Sequence, residues 1–258
     1  MGQIGKTILK KDNGAVVPVI FDVPPEAGRI VIMIHGFESC KECDTGKLLF
    51  RRMIPAEIGV VAYDQPGHGS EEGREEWFTL KNCMDSLETV ENFVAAKYPH
   101  AQIFYFASSF GAYMTSLYVS TRNHRGRKLF MRSAAVNMPE IFLGKPGTEP
   151  DPTAMQLLKT QGYVQVDMGI GQPVKVPLQM FEDMKENNLS EKFKPDKIKA
   201  RMVHGEKDEV ISPEAAVNFA RRFGLPITVM ADEGHSLCNA QGTPDLVADM
   251  AIKFFTAE

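Results

Sequence analysis

The sequence has few cysteines and no long apolar run, and each shortage excludes a class of protein. Four cysteines in 258 residues are too few for a disulfide framework. Cys40 and Cys43 form one C-x-x-C, but a zinc site needs a second ligand pair, which the sequence lacks. Two free thiols in a loop are therefore the plain interpretation, with redox chemistry as the minor alternative. We expect neither a metal nor a cofactor.

A positive net charge is also missing. The chain carries 29 Lys and Arg against 33 Asp and Glu, a net charge of -4. This gives no electrostatic case for nucleic acid or an anionic membrane as a partner. No apolar stretch approaches the roughly 20 residues that span a bilayer. Residues 1–11 include no apolar core of a signal peptide, so we expect a cytoplasmic protein.

What the sequence does contain is an alternation of strand and helix patterns. The run 30–34 is apolar and rich in β-branched residues, which indicates a strand buried on both faces. Helices are predicted between such runs, for example after the capping residues Thr79 and Ser212. The pair Asn13-Gly14 between two apolar stretches predicts an N-terminal antiparallel hairpin. We therefore predict an α/β fold with a mostly parallel, doubly wound sheet. The other predicted strands lie near 59–63, 103–106, 129–136, 200–203 and 227–230.

One long segment, 137–197, breaks this alternation. It is rich in proline and glycine and is too long for a plain loop in a compact domain. We predict that it is a small inserted cap. The core would then consist of residues 1–136 and 198–258.

The strongest chemical signal is the pentapeptide ASSFG at 107–111, which follows the apolar run 103–106 and precedes a predicted helix. A serine in a sharp strand-to-helix turn needs small residues two positions before and after it, and Ala107 and Gly111 meet that condition. Such a turn holds Ser109 at a helix N-terminus, where partial positive charge favours a developing anion. We predict that Ser109 is a nucleophile.

Ser108 is the competing nucleophile in the same segment. Moving the motif by one residue would put Phe106 and Phe110 at the two small positions. Both are too bulky for the turn, so Ser109 is preferred.

A serine hydroxyl is a weak nucleophile and needs a base. Of the histidines downstream of Ser109, only His235 follows a strand-end acid and lies in the loop after the last predicted strand. An acid must orient that imidazole, and Asp208 lies in the loop after the strand near 200–203. Glu206 and Glu209 are the alternatives for the acid.

Together these motifs resemble the α/β-hydrolase superfamily. Within it, the chain is similar to the bacterial cinnamoyl (feruloyl) esterases and the related serine aminopeptidase-like hydrolases, which have a cap inserted after the sixth strand. The resemblance implies an oxyanion hole formed by the backbone N–H groups of Phe37 and Phe110, with His35 and His68 supporting the loops beneath. The residues that carry the resemblance are Gly205, Asp208 and Pro213, the pair Gly234-His235, HGF at 35–37 and GHGS at 67–70.

The sequence therefore predicts a serine hydrolase that cleaves carboxylic esters through Ser109, His235 and Asp208. The expected partner is a small-molecule ester with a small to medium or aromatic acyl group, contacted by Tyr163 and Met168 of the cap. A homodimer is compatible with the sequence. Two alternatives stay open: a peptidase or amidase acting on small peptides, and a non-catalytic ligand-binding member of the fold. A peptidase would need acids to anchor a free amino terminus, and the cap offers Glu140, Glu149, Asp151 and Asp167.

Overall fold

The structure is a computed structural model that describes residues 4–70, 74, 76–143, 151–169 and 171–258. The strands are β1 (Gly5–Lys10), β2 (Val16–Asp22), β3 (Arg29–Ile34), β4 (Ile58–Tyr63), β5 (Gln102–Ser108), β6 (Gly126–Arg132), β7 (Tyr163–Val166), β8 (Val174–Pro177), β9 (Lys199–Gly205) and β10 (Ile227–Met230). The helices are α1 (Asp44–Met53), α2 (Leu80–Lys97), α3 (Phe110–Thr121), α4 (Met138–Leu143), α5 (Pro152–Gln161), α6 (Leu178–Glu186), α7 (Leu189–Lys192), α8 (Pro213–Phe223) and α9 (Thr243–Thr256), with a 3-10 turn at Ile54–Ala56.

Eight of the strands form one sheet in the order β1-β2-β4-β3-β5-β6-β9-β10. Within this sheet, the neighbouring strands β4-β3-β5-β6-β9-β10 all pair parallel. Strand β2 pairs antiparallel with both β1 and β4. Gly14 has a φ of 84° between β1 and β2, a conformation that glycine adopts at little cost. The predicted mostly parallel sheet with an N-terminal hairpin is confirmed.

Helices cover both faces of this sheet, as a buried parallel sheet requires. Helices α1 and α9 pack on one face, against a cluster that includes Met33, Phe106 and Phe130. Helices α2, α3 and α8 pack on the other face, together with apolar residues of the segment 137–197. Among the described helices, none is both long and apolar enough to cross a bilayer.

The capping predictions match the observed helix ends. The Thr79 hydroxyl accepts a hydrogen bond from the backbone of Asn82 at 3.2 Å and begins α2. Ser212 caps α8 in the same way, and Gly224 ends that helix with a φ of 64°. Helix α1 was not predicted, because it begins at Cys43 without a capping side chain.

One predicted strand end is wrong. The strand expected over 129–136 ends at Arg132. Ser133 turns the chain with a φ of 47°, and its N–H donates to Val203 O at 2.9 Å. Residues 133–136 therefore lie beneath the site as a turn rather than as a continued strand.

The segment 137–197 connects β6 to β9. In its described part it holds four helices and the antiparallel pair β7 and β8. Val164, Val176 and Met180 of this segment belong to the same apolar cluster as the sheet. The segment is thus packed onto one face of the sheet, and its treatment as a separate cap stays a prediction.

Candidate active site

Ser109 lies in the turn between β5 and α3 with a φ of 50° and a ψ of -119°. A side-chain-bearing residue rarely adopts this conformation, and surrounding contacts must hold it there. The Ser109 N–H donates to Arg132 O at 2.9 Å, and Ser109 O accepts from the Ala112 N–H at 3.0 Å. A Cβ on Gly111 would lie 2.5 Å from His35 O, so the turn needs glycine there. This is the sharp turn that the sequence predicts for Ser109.

The structure brings Ser109, His235 and Asp208 into one hydrogen-bonded chain. His235 Nε2 lies 3.0 Å from Ser109 Oγ, and His235 Nδ1 lies 2.8 Å from Asp208 Oδ2. The loops after β5, β9 and β10 supply the three side chains at the carboxyl edge of the sheet. Because an ionised carboxylate only accepts, Nδ1 carries the proton and Nε2 is left to accept from the serine hydroxyl. This arrangement is able to take the proton of Ser109.

The Asp208 carboxylate is fully buried and accepts hydrogen bonds on both oxygens. Oδ1 accepts from the N–H groups of Val210 and Ile211 at 2.9 Å each. Oδ2 accepts from His235 and also lies 3.1 Å from His204 Nε2. Burial acts to raise the pKa of Asp208, but the hydrogen bonds from His204 and His235 outweigh it and hold that pKa well below its usual value. Asp208 therefore stays ionised beside His235.

The sequence analysis missed His204 as part of this network. The imidazole is fully buried, and its Nε2 also lies 3.1 Å from Ile211 O. Because a carbonyl only accepts, Nε2 carries the proton and donates toward both Ile211 O and Asp208 Oδ2. The two residues are four positions apart across Gly205, where a Cβ would lie 2.4 Å from Glu233 O. The four-residue spacing of His204 and Asp208 was the signal that the sequence offered. It does not determine the direction of the His204 ring.

The predicted oxyanion-hole residues flank Ser109. Phe110 is the next residue and begins α3, and Phe37 follows Gly36 in the loop after β3. A Cβ on Gly36 would lie 3.2 Å from Ser109 Cβ, so this loop passes directly beside the serine. The N–H groups of both phenylalanines are thus near the nucleophile, and their role as oxyanion donors is a proposal.

Side chains from the loops after β3 and β4 fix this arrangement. His35 Nε2 accepts from the Gln65 N–H at 3.0 Å, and Gln65 Nε2 donates to His35 O at 2.6 Å. His35 Nδ1 therefore donates to Gly36 O, 2.7 Å away. Asp64 accepts from both the N–H and the ammonium group of Lys41, at 2.8 and 2.5 Å. His35 thus has the structural role that the resemblance implies for it.

A cavity of about 1380 Å³ opens beside Ser109 and His235. Met168 lines it, as the sequence analysis expected, but Tyr163 does not. In β7 the neighbouring Val164 faces the core, and side chains alternate along a strand. Tyr163 consequently faces away from the core, with its ring 5.8 Å from that of Trp77. Tyr163 is thus not placed at the cavity wall, and its contact with the substrate stays a prediction.

The cavity is lined by the acids Glu38, Glu42, Asp44 and Asp245, but not by the described acids that the sequence analysis offered for a peptidase. Glu140, Asp151 and Asp167 do not line it, and Glu149 lies outside the described residues.

The described residues contain no cluster of three or more His, Cys, Asp or Glu side chains placed to hold a metal. Burial raises the pKa of the Cys40 thiol, which disfavours the reactive thiolate.

Comparisons with known proteins agree with this fold. Residues 25–192 match the family described as serine aminopeptidase, S33. Among curated protein sequences, none matches this chain.

Solved structures of hydrolases superimpose on nearly the whole chain. Est1E from Butyrivibrio proteoclasticus is 19% identical, with a TM-score of 0.74 and 97% of each chain covered. The esterase domain of a Rhodothermus marinus protein is 16% identical, with a TM-score of 0.74 and 98% of each chain covered. A thermostable carboxyl esterase from Bacillus coagulans is 17% identical, with a TM-score of 0.73 and 98% of each chain covered. At these identities the likeness shows the α/β-hydrolase fold.

Proposed function

Because the chain belongs to the family of α/β-hydrolases described as serine aminopeptidase, S33, we propose that it is a serine hydrolase that cleaves carboxylic esters. The observation that carries the proposal is the hydrogen-bonded chain from Asp208 through His235 to Ser109 Oγ at the wall of an open cavity. Three such groups in sequence activate a serine hydroxyl for attack on an acyl carbon.

The proposed reaction follows from this geometry. Ser109 Oγ attacks the ester carbonyl carbon while His235 Nε2 takes the hydroxyl proton. The negative charge that forms on the carbonyl oxygen is stabilised by the N–H groups of Phe37 and Phe110. His235 then gives the proton to the leaving alcohol, and an acyl group remains on Ser109. Water then attacks the acyl carbon while His235 Nε2 takes its proton. His235 returns that proton to Ser109 Oγ as the carboxylic acid leaves.

The lining of the cavity supports an ester rather than a peptide substrate. Apolar side chains near the serine include Phe37, Met138, Ile141 and Met168, and these suit an aromatic or medium-length acyl group. Of the cap acids that would bind a free amino terminus, Glu140, Asp151 and Asp167 do not line the cavity. Est1E, which shares the fold, has been solved with ferulic acid bound.

A fluorophosphonate probe tests the nucleophile. We expect covalent labelling at Ser109, and Ser109→Ala should abolish labelling and lower turnover by roughly a millionfold, the loss found for the serine of another triad hydrolase. Ser116→Ala is the matched control, because Ser116 lies in α3, does not line the cavity, and donates its hydroxyl hydrogen bond to the sulfur of Met131. Peptide mapping that places the label on Ser108 would overturn the assignment.

A panel of short-chain esters, aromatic esters and aminoacyl amides tests the reaction. We expect turnover of esters and little turnover of amides. Preferential cleavage of aminoacyl amides would instead support the peptidase alternative. Labelling without turnover of any member would support a ligand-binding role and contradict the proposal.

A further inference from the structure

The cavity extends from Ser109 onto the face of the sheet that α1 and α9 cover. We call this part the α1/α9 branch and define it by Met33, Phe106, Ser108, Arg132 and Val247, which all line the cavity. Met33, Phe106 and Val247 belong to the apolar cluster under these two helices. These five residues give the branch apolar walls, one arginine and one serine hydroxyl. The cavity is also lined on α1 and α9 by two ion pairs, Lys47 with Asp44 and Arg51 with Asp245.

Arg132 and Ser108 are neighbours at the mouth of this branch. They are register partners at the carboxyl ends of β6 and β5. Phe130 and Phe106, two residues earlier in each strand, pack under α1 and α9. Because side chains alternate along a strand, Arg132 and Ser108 face the same side.

The Arg132 guanidinium lacks an ion-pair partner among the described residues. The guanidinium donates a hydrogen bond to the carbonyl oxygen of Ser236. The carboxylates of Asp208 and Glu233 act to raise its pKa, and both accept hydrogen bonds from other donors. Asp208 accepts from two histidines, and Glu233 accepts from backbone N–H groups at 2.8 and 2.9 Å. Desolvation lowers the pKa of Arg132, as expected for a cation that is partly buried without a paired anion.

The Ser108 hydroxyl is a second unsatisfied group at the same place. The residue is 7% exposed, and its Oγ has no hydrogen-bond partner in the described part of the chain. Buried polar atoms without a partner are rare and call for an explanation. A ligand that accepts hydrogen bonds from both Ser108 and Arg132 supplies one.

We propose that the α1/α9 branch binds an anionic group of the substrate, a carboxylate or a phosphate, between the Arg132 guanidinium and the Ser108 hydroxyl. A guanidinium matches the two oxygens of such an anion with parallel hydrogen bonds. The inference rests on the proposed function, since the ester carbonyl must lie at Ser109 while the anion lies in the branch.

Matched pairs of esters test this inference. Monomethyl adipate is compared with methyl heptanoate, which places the charge on the acyl side. The butyrate ester of a hydroxyalkanoic acid is compared with the butyrate of the corresponding alkanol, which places it on the alcohol side. We expect the protein to prefer the anionic member of at least one pair in kcat/KM. A phosphonate of the same chain length then distinguishes phosphate from carboxylate recognition.

Arg132→Gln should lower this anionic-to-neutral ratio by about 10- to 100-fold, the usual effect of losing a hydrogen bond to a charged group. Any general damage from the lost contact with Ser236 affects both esters and cancels in the ratio. Arg201→Gln is the matched control, since Arg201 donates to Thr228 Oγ1 on the neighbouring strands and does not line the cavity. An unchanged ratio in Arg132→Gln, or a wild-type preference for the neutral esters, overturns the inference.

A binding measurement separates this inference from the proposed function. Calorimetry on Ser109→Ala gives a Kd for monomethyl adipate without any turnover. We expect Ser109→Ala/Arg132→Gln to bind it about 10- to 100-fold more weakly. If no ester is hydrolysed but this difference is found, the anion site stands and the proposed function fails. Equal binding by both variants overturns the anion site, whatever the activity.

Discussion

Acid should destabilise this protein through a buried imidazole beneath the loop that carries Phe37. His68 is 2% exposed, and its ring lies 5.5 Å from that of Phe37 and 4.8 Å from that of Phe78. Its Nδ1 donates to Pro66 O at 2.9 Å, and its Nε2 has no partner among the described residues. Burial, helped by the nearby His35, lowers the pKa of His68 from 6.5 to about 3.

The sign of the effect follows from the two states. In the unfolded chain an exposed histidine has a pKa near ~6.5, so below that pH the unfolded state binds a proton that folded His68 refuses. The contribution of His68 to stability is complete above about pH 6.5 and falls by about 1.4 kcal/mol per pH unit until the folded pKa is reached. At about pH 5 the loss is therefore about 2 kcal/mol, a large share of the ~5–15 kcal/mol of a typical domain. Burial also lowers the pKa of His35, which adds a loss in the same direction.

Denaturant unfolding at about pH 7 and about pH 5 measures this loss. His68→Asn keeps a donor for Pro66 O and removes the titration. We expect it to lower the free energy of unfolding at pH 7, but to lose about 2 kcal/mol less than the wild type between the two pH values. His100→Asn, at an exposed histidine, should keep the wild-type pH dependence. If His68→Asn and the wild type lose equal free energy, the imidazole is not held neutral by burial and the reasoning is refuted.

Two further predictions concern activity. His204→Ala should lower kcat by about 10- to 100-fold with little change in KM, because Asp208 loses one hydrogen bond; His204→Gln, whose amide can still donate, should recover part of kcat, and equal losses in both variants would contradict a positioning role. Met168→Ala should change the ratios of kcat/KM across an acyl-chain panel, whereas Tyr163→Ala should leave them unchanged because that ring lies away from the cavity. Equal effects of these two variants would contradict the observed orientation of β7.

The sequence could predict the meeting of Ser109, Asp208 and His235 because each follows a strand of one parallel sheet. The carboxyl ends of parallel strands share an edge, so residues just after them converge whatever the details of packing. The steric demand of the turn at Ser109 added a second constraint through Gly111, which the structure shows pressed against β3. Local patterns were enough for this part of the site.

The remaining features depend on packing that no local pattern encodes. His204 and Asp208 are four residues apart in a loop, and only the burial of the ring against Ile211 aims it at the carboxylate. The side on which Tyr163 lies is set by the register of β7 with β8. The turn after Arg132 replaces a predicted strand end because Ser133 has a φ of 47°, which is outside the extended conformation of a strand.

Arg132 shows how closely the proposed chemistry and the proposed selectivity are joined. Its carbonyl oxygen accepts from the N–H of Ser109 and helps to hold the strained turn, while its guanidinium donates to Ser236, the residue after His235. An anion that binds the Arg132 guanidinium in the α1/α9 branch would therefore alter the hydrogen bond to Ser236, in the loop that carries His235. A substrate with the right charge would then both fill the branch and bias the position of the base. We therefore expect the preference for a charged substrate to appear in kcat as well as in KM. Measuring the two constants separately for each ester pair tests this expectation.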